Sequence, residues 1–178
     1  IHKMNKNSQA AFLLANGALE DQDSYEIRKK ILENDLVEAI ITLPRDIFYG
    51  TDISVTLWIL NNNKEKKTEI KNGETYKFVE RKNKIMFMDL RKFGKKIGKY
   101  IELLDEDISI AVETFYKWRQ GDFTNQDELA SSIDLEEIRK KDYSLIPSRY
   151  INFNNKDLNI DFEKEMKLVT DNLSKNLK

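Results

Sequence analysis

Four apolar runs in the first ninety residues have the length of β-strands: residues 9–16, 36–43, 53–60 and 84–90. The first is a nearly continuous apolar run, whereas a strand with one solvated face would alternate between apolar and polar positions. We therefore predict that residues 9–16 form a central parallel strand buried on both faces. Residues 36–43 are predicted to be a second strand, which ends before Pro44.

An amphipathic helix is predicted between the first two strands. Asp23 and Glu26 have the spacing of a capping box, which marks the start of a helix. Ile27, Ile31 and Leu32 then recur with helical spacing. This order of strand, helix and strand predicts a parallel βαβ unit.

The connection between the second and third strands is short, because only residues 44–52 separate them. A connection that keeps two strands parallel needs about a dozen residues or more, so we expect these strands to be antiparallel. Ligands of open α/β sheets bind beyond the carboxyl ends of the parallel strands. The loop 44–52 is therefore expected on the ligand side of the sheet.

The second half of the chain is predicted to be mainly helical. Before it, residues 61–83 are polar and lysine-rich, and their length favours a mobile or variable insertion. A helix is expected from Asp105 to just before Gly121. Its predicted apolar face consists of Ile108, Val112, Phe115 and Tyr116. Asp134 and Glu137 form a second capping pattern, before a short helix.

A last helix, expected from about Asp161, carries a narrow apolar seam between charged flanks. The seam residues are Phe162, Met166, Val169, Leu173 and Leu177. Two heptads of such a seam favour one partner helix, and packing against the chain's own domain is the alternative. We therefore expect two parts, with residues 1–100 in an α/β domain and residues 101–178 in a helical extension that ends in a docking helix.

The composition excludes several classes of site. The chain has no cysteine and one histidine, so we expect neither disulfides nor a zinc site. No apolar run reaches the roughly 18 residues of a membrane span, which favours a cytoplasmic protein. The net charge is −1, but residues 64–99 contain 13 Lys or Arg against 5 Asp or Glu. This basic segment indicates either a phosphate-facing surface or a solvated lysine-rich loop.

A series of short segments matches one protein family in order and spacing. Residues 10–19 read Ala-Ala-Phe-Leu-Leu-Ala-Asn-Gly-Ala-Leu. The further segments are residues 27–30, 33–41, 43–44, 48–51, 55–60, 87–89, 114–119, 143–145 and 147–150. Over roughly residues 1–151 the chain resembles the modification (M) subunits of type I restriction-modification enzymes.

The resemblance implies a fold and an activity. These subunits fold as class I, Rossmann-like methyltransferases whose sheet has a reversed last strand. They transfer a methyl group from S-adenosylmethionine to N6 of adenine in DNA, and the target base must leave the stack to be reached. The implied partners are DNA, a specificity (S) subunit, a restriction (R) subunit and a second M subunit.

Two motifs of this family do not occur in the chain. The family binds its cofactor with a glycine-rich turn and holds the adenine amino group with an Asn-Pro-Pro-aromatic motif. The six glycines here form no Gly-x-Gly, and Pro44 and Pro147 are not adjacent. Both motifs precede the fifth strand of the family, which residues 10–19 resemble. The chain is therefore expected to be a C-terminal part that binds little of the cofactor and is inactive alone.

Phe48 is the candidate for stacking on the flipped base, because the family places an aromatic just before the reversed strand. Tyr49 is its nearest competitor. Asn16 and Gly17 end the first predicted strand and are candidates to line the pocket, although Gly17 is more simply a turn residue. The candidates for DNA phosphate contacts are Lys92, Lys95, Lys96 and Lys99.

Two alternatives to the M subunit stay open. One is a solitary DNA adenine methyltransferase that recognises DNA itself, which would need no separate specificity protein. The other is a non-catalytic interaction module, which would have no need for paired aromatics at the ligand edge of a sheet.

Overall fold

Nine strands and three α-helices occur in a computed structural model that describes residues 4–49, 53–153, 166–167 and 170. The strands are β1 (Gln9–Ala15), β2 (Val37–Thr42), β3 (Val55–Asn61), β4 (Lys67–Lys71), β5 (Glu74–Phe78), β6 (Lys84–Asp89), β7 (Lys95–Ile97), β8 (Tyr100–Glu102) and β9 (Ala130–Asp134). The helices are α1 (Tyr25–Glu33), α2 (Asp105–Gln120) and α3 (Leu135–Lys140). Five strands form the main sheet in the order β1-β3-β2-β6-β9.

The main sheet is mixed. β2 is parallel to β6, whereas β3 is antiparallel to both of its neighbours, β1 and β2. The α/β class and the antiparallel direction of β3, which followed from the short connection before it, are confirmed. The sheet does not stop at this reversed strand, because β6 and β9 extend it on the far side of β2.

The prediction that residues 9–16 form a central strand buried on both faces is wrong for the described part of the chain. β1 lies at the edge of the five-stranded sheet and pairs there with β3 alone. Phe12 and Leu13 are 37% and 44% exposed. The apolar run does form a strand, but apolar content alone does not fix how many neighbours a strand has.

β2 is the strand that is buried on both faces, and all six of its residues are buried. Ile40 belongs to a core cluster that contains Leu32 of α1 and Leu145. Ala39 and Met86 belong to a second cluster, which contains Trp118 of α2. Since neighbouring residues of a strand point to opposite faces, these clusters cover the two faces of the sheet.

Two hairpins lie outside the main sheet, and neither was predicted from the sequence. β4 and β5 pair within residues 61–83, which were expected to be a mobile or variable insertion. Their turn contains Asn72 and Gly73 with φ values of 52° and 81°, the left-handed backbone that a two-residue hairpin turn requires. β7 and β8 form the second hairpin.

α2 has the expected bounds but not the expected buried face. It ends at Gly121, whose φ of 85° is the left-handed conformation typical of a helix C-terminus. Ile108 and Val112 are about half exposed, whereas Trp118 and Arg119 are buried. The first turns of α2 therefore lie against little else in the described part of the chain.

The segment after residue 100 is not only helical, because β9 adds a strand to the main sheet. Pro147–Arg149 form a 3-10 turn, and the Tyr150 ring stacks on Phe87 with 4.4 Å between ring centroids. The division of the chain at residue 100 stays a prediction. Among the described residues, no helix is long and apolar enough to cross a membrane.

Helix starts differ in detail from the predicted capping boxes. Ser24 is the N-cap residue of α1, and its backbone N–H donates to Asp21 Oδ1 at 2.9 Å. Asp134 is the N-cap residue of α3, as predicted, but its side chain makes no capping hydrogen bond. The carboxylates near both starts still favour a helix, since they face its positive end.

Candidate nucleic-acid interface

The carboxyl ends of three strands meet at one edge of the sheet. β1 and β2 both run antiparallel to β3, and β2 is parallel to β6, so these three share one direction. Asn16, Thr42 and Asp89 lie where they end. Open α/β sheets bind ligands beyond this edge, and the loop after β2 leaves from it.

A small cavity of about 130 Å³, lined by both polar and apolar residues, opens at this edge. Its lining residues are Asn16, Leu19, Thr42, Arg91, Ile146, Pro147 and Ser148. The Asn16 Oδ1 and Thr42 Oγ1 atoms are buried and have no hydrogen-bond partner in the described part of the chain. Unpaired buried polar atoms are costly, so the cavity suits a small polar guest such as water. The structure thus brings Asn16 to a pocket and leaves Gly17 outside its lining.

Arg91 lines this cavity and forms an ion pair with Asp89. Its guanidinium donates to both carboxylate oxygens of the buried Asp89, from Nε to Oδ1 at 3.0 Å and to Oδ2 at 2.9 Å, and from Nη2 to Oδ2 at 2.6 Å. These hydrogen bonds raise the pKa of Arg91 above its ordinary value. Neither Arg91 nor Thr42 was predicted from the sequence, although Arg91 directly follows the predicted strand 84–90 and Thr42 lies next to the end of the predicted strand 36–43.

The loop after β2 presents two aromatic residues. Phe48 is half-buried, whereas Tyr49 is 85% exposed. The Tyr49 ring lies 4.3 Å from the Tyr100 ring, centroid to centroid, with 56° between the ring planes. The Ile101 backbone N–H donates to the Asp46 carbonyl oxygen at 3.0 Å. The β7–β8 hairpin therefore contacts this loop, a contact that sequence analysis did not foresee.

The four lysines predicted to meet phosphates fall into two groups. Lys95, Lys96 and Lys99 are exposed on the β7–β8 hairpin, and the Lys99 ammonium lies 5.1 Å from the centre of the Tyr100 ring. Lys92 is also exposed, but its Nζ donates to Glu128 Oε2 at 2.7 Å. The hairpin lysines and the exposed aromatic of the loop thus belong to one connected surface.

The predicted docking helix lies almost entirely outside the described residues. This holds for Phe162, Val169, Leu173 and Leu177. Met166 is described, is helical, and is 52% exposed. The seam therefore stays a prediction.

Several known proteins are similar to this chain. Its sequence is 31% identical to the type I restriction enzyme HindI methylase subunit of Haemophilus influenzae, a match that covers 96% of the chain and 36% of that protein. It is 33% identical to the MjaIX methylase subunit of Methanocaldococcus jannaschii, over 95% of the chain and 29% of the relative. The chain thus spans about a third of the length of these curated relatives.

A solved structure with the same fold is the methyltransferase subunit of the type I restriction-modification system of Streptococcus thermophilus. It matches with a TM-score of 0.65 and 27% identity, over 81% of this chain and 26% of that one. The type I restriction enzyme EcoKI M protein matches with a TM-score of 0.54 at 15% identity, over 85% of this chain and 36% of its own, which supports the fold alone. The model of the N-6 DNA Methylase family matches residues 1–158. The chain therefore belongs to the N-6 DNA Methylase family.

Proposed function

We propose that the longer protein containing this chain is the modification subunit of a type I restriction-modification enzyme. It transfers a methyl group from S-adenosylmethionine to N6 of adenine in DNA. In this proposal the chain is the C-terminal part of a class I methyltransferase sheet, and β3 is its reversed strand. The family match and the relatives named type I methylase subunits support this assignment.

The observation that carries the proposal is the aromatic loop at the ligand edge. A base in duplex DNA must leave the stack before its amino group can react, and an aromatic platform offsets part of that cost. Such stacking contributes roughly 1–3 kcal/mol per base. Phe48 and Tyr49 lie in the loop that leaves this edge, and Lys95, Lys96 and Lys99 lie on the hairpin beside it.

The described residues do not fit a complete cofactor site. Pockets for ligands of this size have volumes of about 300–1,000 Å³, whereas the cavity at the ligand edge measures about 130 Å³. Gly17, the described glycine nearest to the end of β1, is not among the described glycines with positive φ, which are Gly73, Gly94, Gly98 and Gly121. We therefore assign S-adenosylmethionine binding mainly to other parts of the longer protein.

The proposed partners are DNA, a specificity subunit, a restriction subunit and a second modification subunit. The specificity subunit would read the DNA sequence, since the exposed groups of this chain suit phosphates and an unstacked base. The seam from Phe162 to Leu177 is the proposed contact with that subunit, on the sequence pattern alone.

Methyl transfer by the full-length protein tests the function. Duplex DNA is incubated with labelled S-adenosylmethionine and the protein, with and without a candidate specificity subunit, and the nucleosides are analysed by mass spectrometry. We expect N6-methyladenine only when the specificity subunit is present. Site-specific methylation by the protein alone would favour the solitary enzyme instead, and DNA without any methyl label would favour the non-catalytic module.

The hairpin lysines should set the salt dependence of DNA binding. Each phosphate contact that is lost lowers the slope of log K against log salt by roughly one. Replacing Lys95, Lys96 and Lys99 together by Gln should therefore lower the slope by roughly two to three, measured by fluorescence anisotropy of a labelled duplex. Lys92→Gln is the matched control, because Glu128 already holds the Lys92 ammonium. If Lys92→Gln lowered the slope by as much as each hairpin lysine does, the assignment of the phosphate contacts to the hairpin would be contradicted.

A further inference from the structure

The β7–β8 hairpin holds the aromatic loop at two points. The Tyr100 ring packs on the Tyr49 ring at 4.3 Å, and the Ile101 N–H donates to the Asp46 carbonyl oxygen at 3.0 Å. The residues in contact are far apart in the chain, by 51 positions for Tyr49 and Tyr100 and by 55 positions for Asp46 and Ile101. The loop position therefore depends on a distant segment as well as on the strand from which the loop leaves.

The hairpin is itself fixed at its base. Gly94 has a φ of 89°, and a Cβ atom there would lie 2.6 Å from Ile101 Cγ2 and 2.8 Å from the Glu102 carbonyl oxygen. Only glycine fits a backbone that approaches β8 so closely. Because β8 is packed against the start of the hairpin, Tyr100 and Ile101 have little freedom to move away from the loop.

The two rings of the aromatic contact have different surroundings. Tyr49 is 85% exposed, whereas Tyr100 is half-buried on β8. Asp46 has a φ of 61°, so the loop also contains a backbone conformation that is rare for a residue other than glycine. Strained backbone persists where surrounding contacts fix it, and the hydrogen bond from Ile101 ends on this residue.

We infer that Tyr100 is a positioning residue for the reaction. It holds the loop 44–49 in the conformation that receives the flipped base, and it does so through the Tyr49 ring and without touching the reacting atoms. This inference rests on the proposed function. Loop order that exists before the substrate arrives removes an ordering cost from the bound state, and a small misplacement in a reacting complex lowers the rate up to about 100-fold.

Tyr100→Ala, Tyr100→Phe and the matched control Tyr76→Ala test the inference in the full-length protein with its specificity subunit. Tyr76 is a tyrosine of the β4–β5 hairpin whose ring packs on Tyr116 and not on the loop. Hydrogen exchange of the amides of residues 45–49 reports loop order without DNA. Fluorescence of 2-aminopurine at the target position reports base extrusion, and single-turnover methylation reports the rate.

We expect Tyr100→Ala to speed amide exchange in the loop and to lower both base extrusion and methylation by about 10- to 100-fold. Tyr100→Phe should leave amide exchange, base extrusion and methylation at their wild-type values, because it keeps the aromatic ring. Tyr76→Ala should change none of the three. Unchanged loop exchange in Tyr100→Ala, or unchanged methylation while Phe48→Ala is impaired, would overturn the inference. If neither Phe48→Ala nor Tyr49→Ala affects methylation, the proposed function of the loop is wrong. Faster amide exchange in Tyr100→Ala would then show that Tyr100 orders the loop but does not contribute to methylation.

Discussion

Glu38→Gln should destabilise the protein by about 3–5 kcal/mol, the effect of removing one partner from a buried ion pair. Glu38 is completely buried on β2. Its Oε1 atom accepts hydrogen bonds from Arg81 Nε at 3.2 Å and from Arg81 Nη2 at 3.0 Å. Its Oε2 atom accepts one from Asn61 Nδ2 at 2.9 Å. The amide of glutamine would keep the shape of this site but not its charge.

The loss is large because two buried guanidinium groups depend on one carboxylate. Arg119 Nε lies 3.7 Å from Glu38 Oε1, and both Arg119 and Arg81 are buried. Burial lowers the pKa of Arg81, and the charge of Glu38 opposes that effect. Arg119 Nε and Nη2 have no hydrogen-bond partner among the described residues, and the guanidinium carbon lies 4.0 Å from the centre of the Phe78 ring. Without Glu38 the site would hold two positive charges and no negative one.

Urea denaturation followed by tryptophan fluorescence measures this effect, since Trp118 lies 5.6 Å from the Arg81 guanidinium. Glu65→Gln is the control: Glu65 pairs with Lys82 at the exposed surface, and its loss should leave the midpoint nearly unchanged. Adding Arg119→Met to Glu38→Gln should cost less than the sum of the single changes, because it removes one uncompensated charge. A Glu38→Gln midpoint equal to that of the control would show that the carboxylate is not needed.

The reversed direction of β3 could be predicted from the sequence because it depends on chain length alone. Residues 44–52 are too few for a parallel return, and the structure pairs β2 and β3 antiparallel. The β4–β5 hairpin was equally accessible, since Asn72-Gly73 between alternating residues is a strong hairpin signal. It was not predicted because the polar, lysine-rich composition of residues 61–83 favoured a mobile or variable insertion.

The features that could not be predicted from the sequence depend on contacts between residues that are far apart in the chain. An isolated acidic residue in an apolar strand, such as Glu38, gives no sign that Arg81 and Arg119 will meet it. In the same way, nothing local to Tyr100 indicates that its ring will pack on Tyr49. The loop was found from its place at the end of a strand, but the hairpin that holds it was not.

Phe48→Ala in the full-length protein should lower methylation by roughly 5- to 150-fold, which corresponds to a stacking contribution of about 1–3 kcal/mol. The affinity for S-adenosylmethionine should not change, because the proposed cofactor site lies elsewhere in the protein. Single-turnover kinetics with calorimetry on the same preparation measure both quantities. A methylation rate of Phe48→Ala equal to that of the wild type would show that Phe48 does not contribute to the reaction.

A structural role of Phe48 predicts a different result from a stacking role, and Phe48→Leu separates the two. Phe48 is half-buried, so its truncation also removes apolar contacts. Leucine restores much of the apolar volume but offers no aromatic face to a base. If Phe48 stacks on the base, Phe48→Leu should methylate DNA nearly as slowly as Phe48→Ala. Phe48→Tyr should then methylate DNA nearly as fast as the wild type. If Phe48 only packs against its neighbours, Phe48→Leu should recover both the methylation rate and the melting temperature.

Tyr49→Ala tests whether Tyr49 is the stacking residue instead. Since Tyr49 is 85% exposed, its truncation should leave the melting temperature unchanged. A larger loss of methylation rate than in Phe48→Ala would assign the stacking platform to Tyr49.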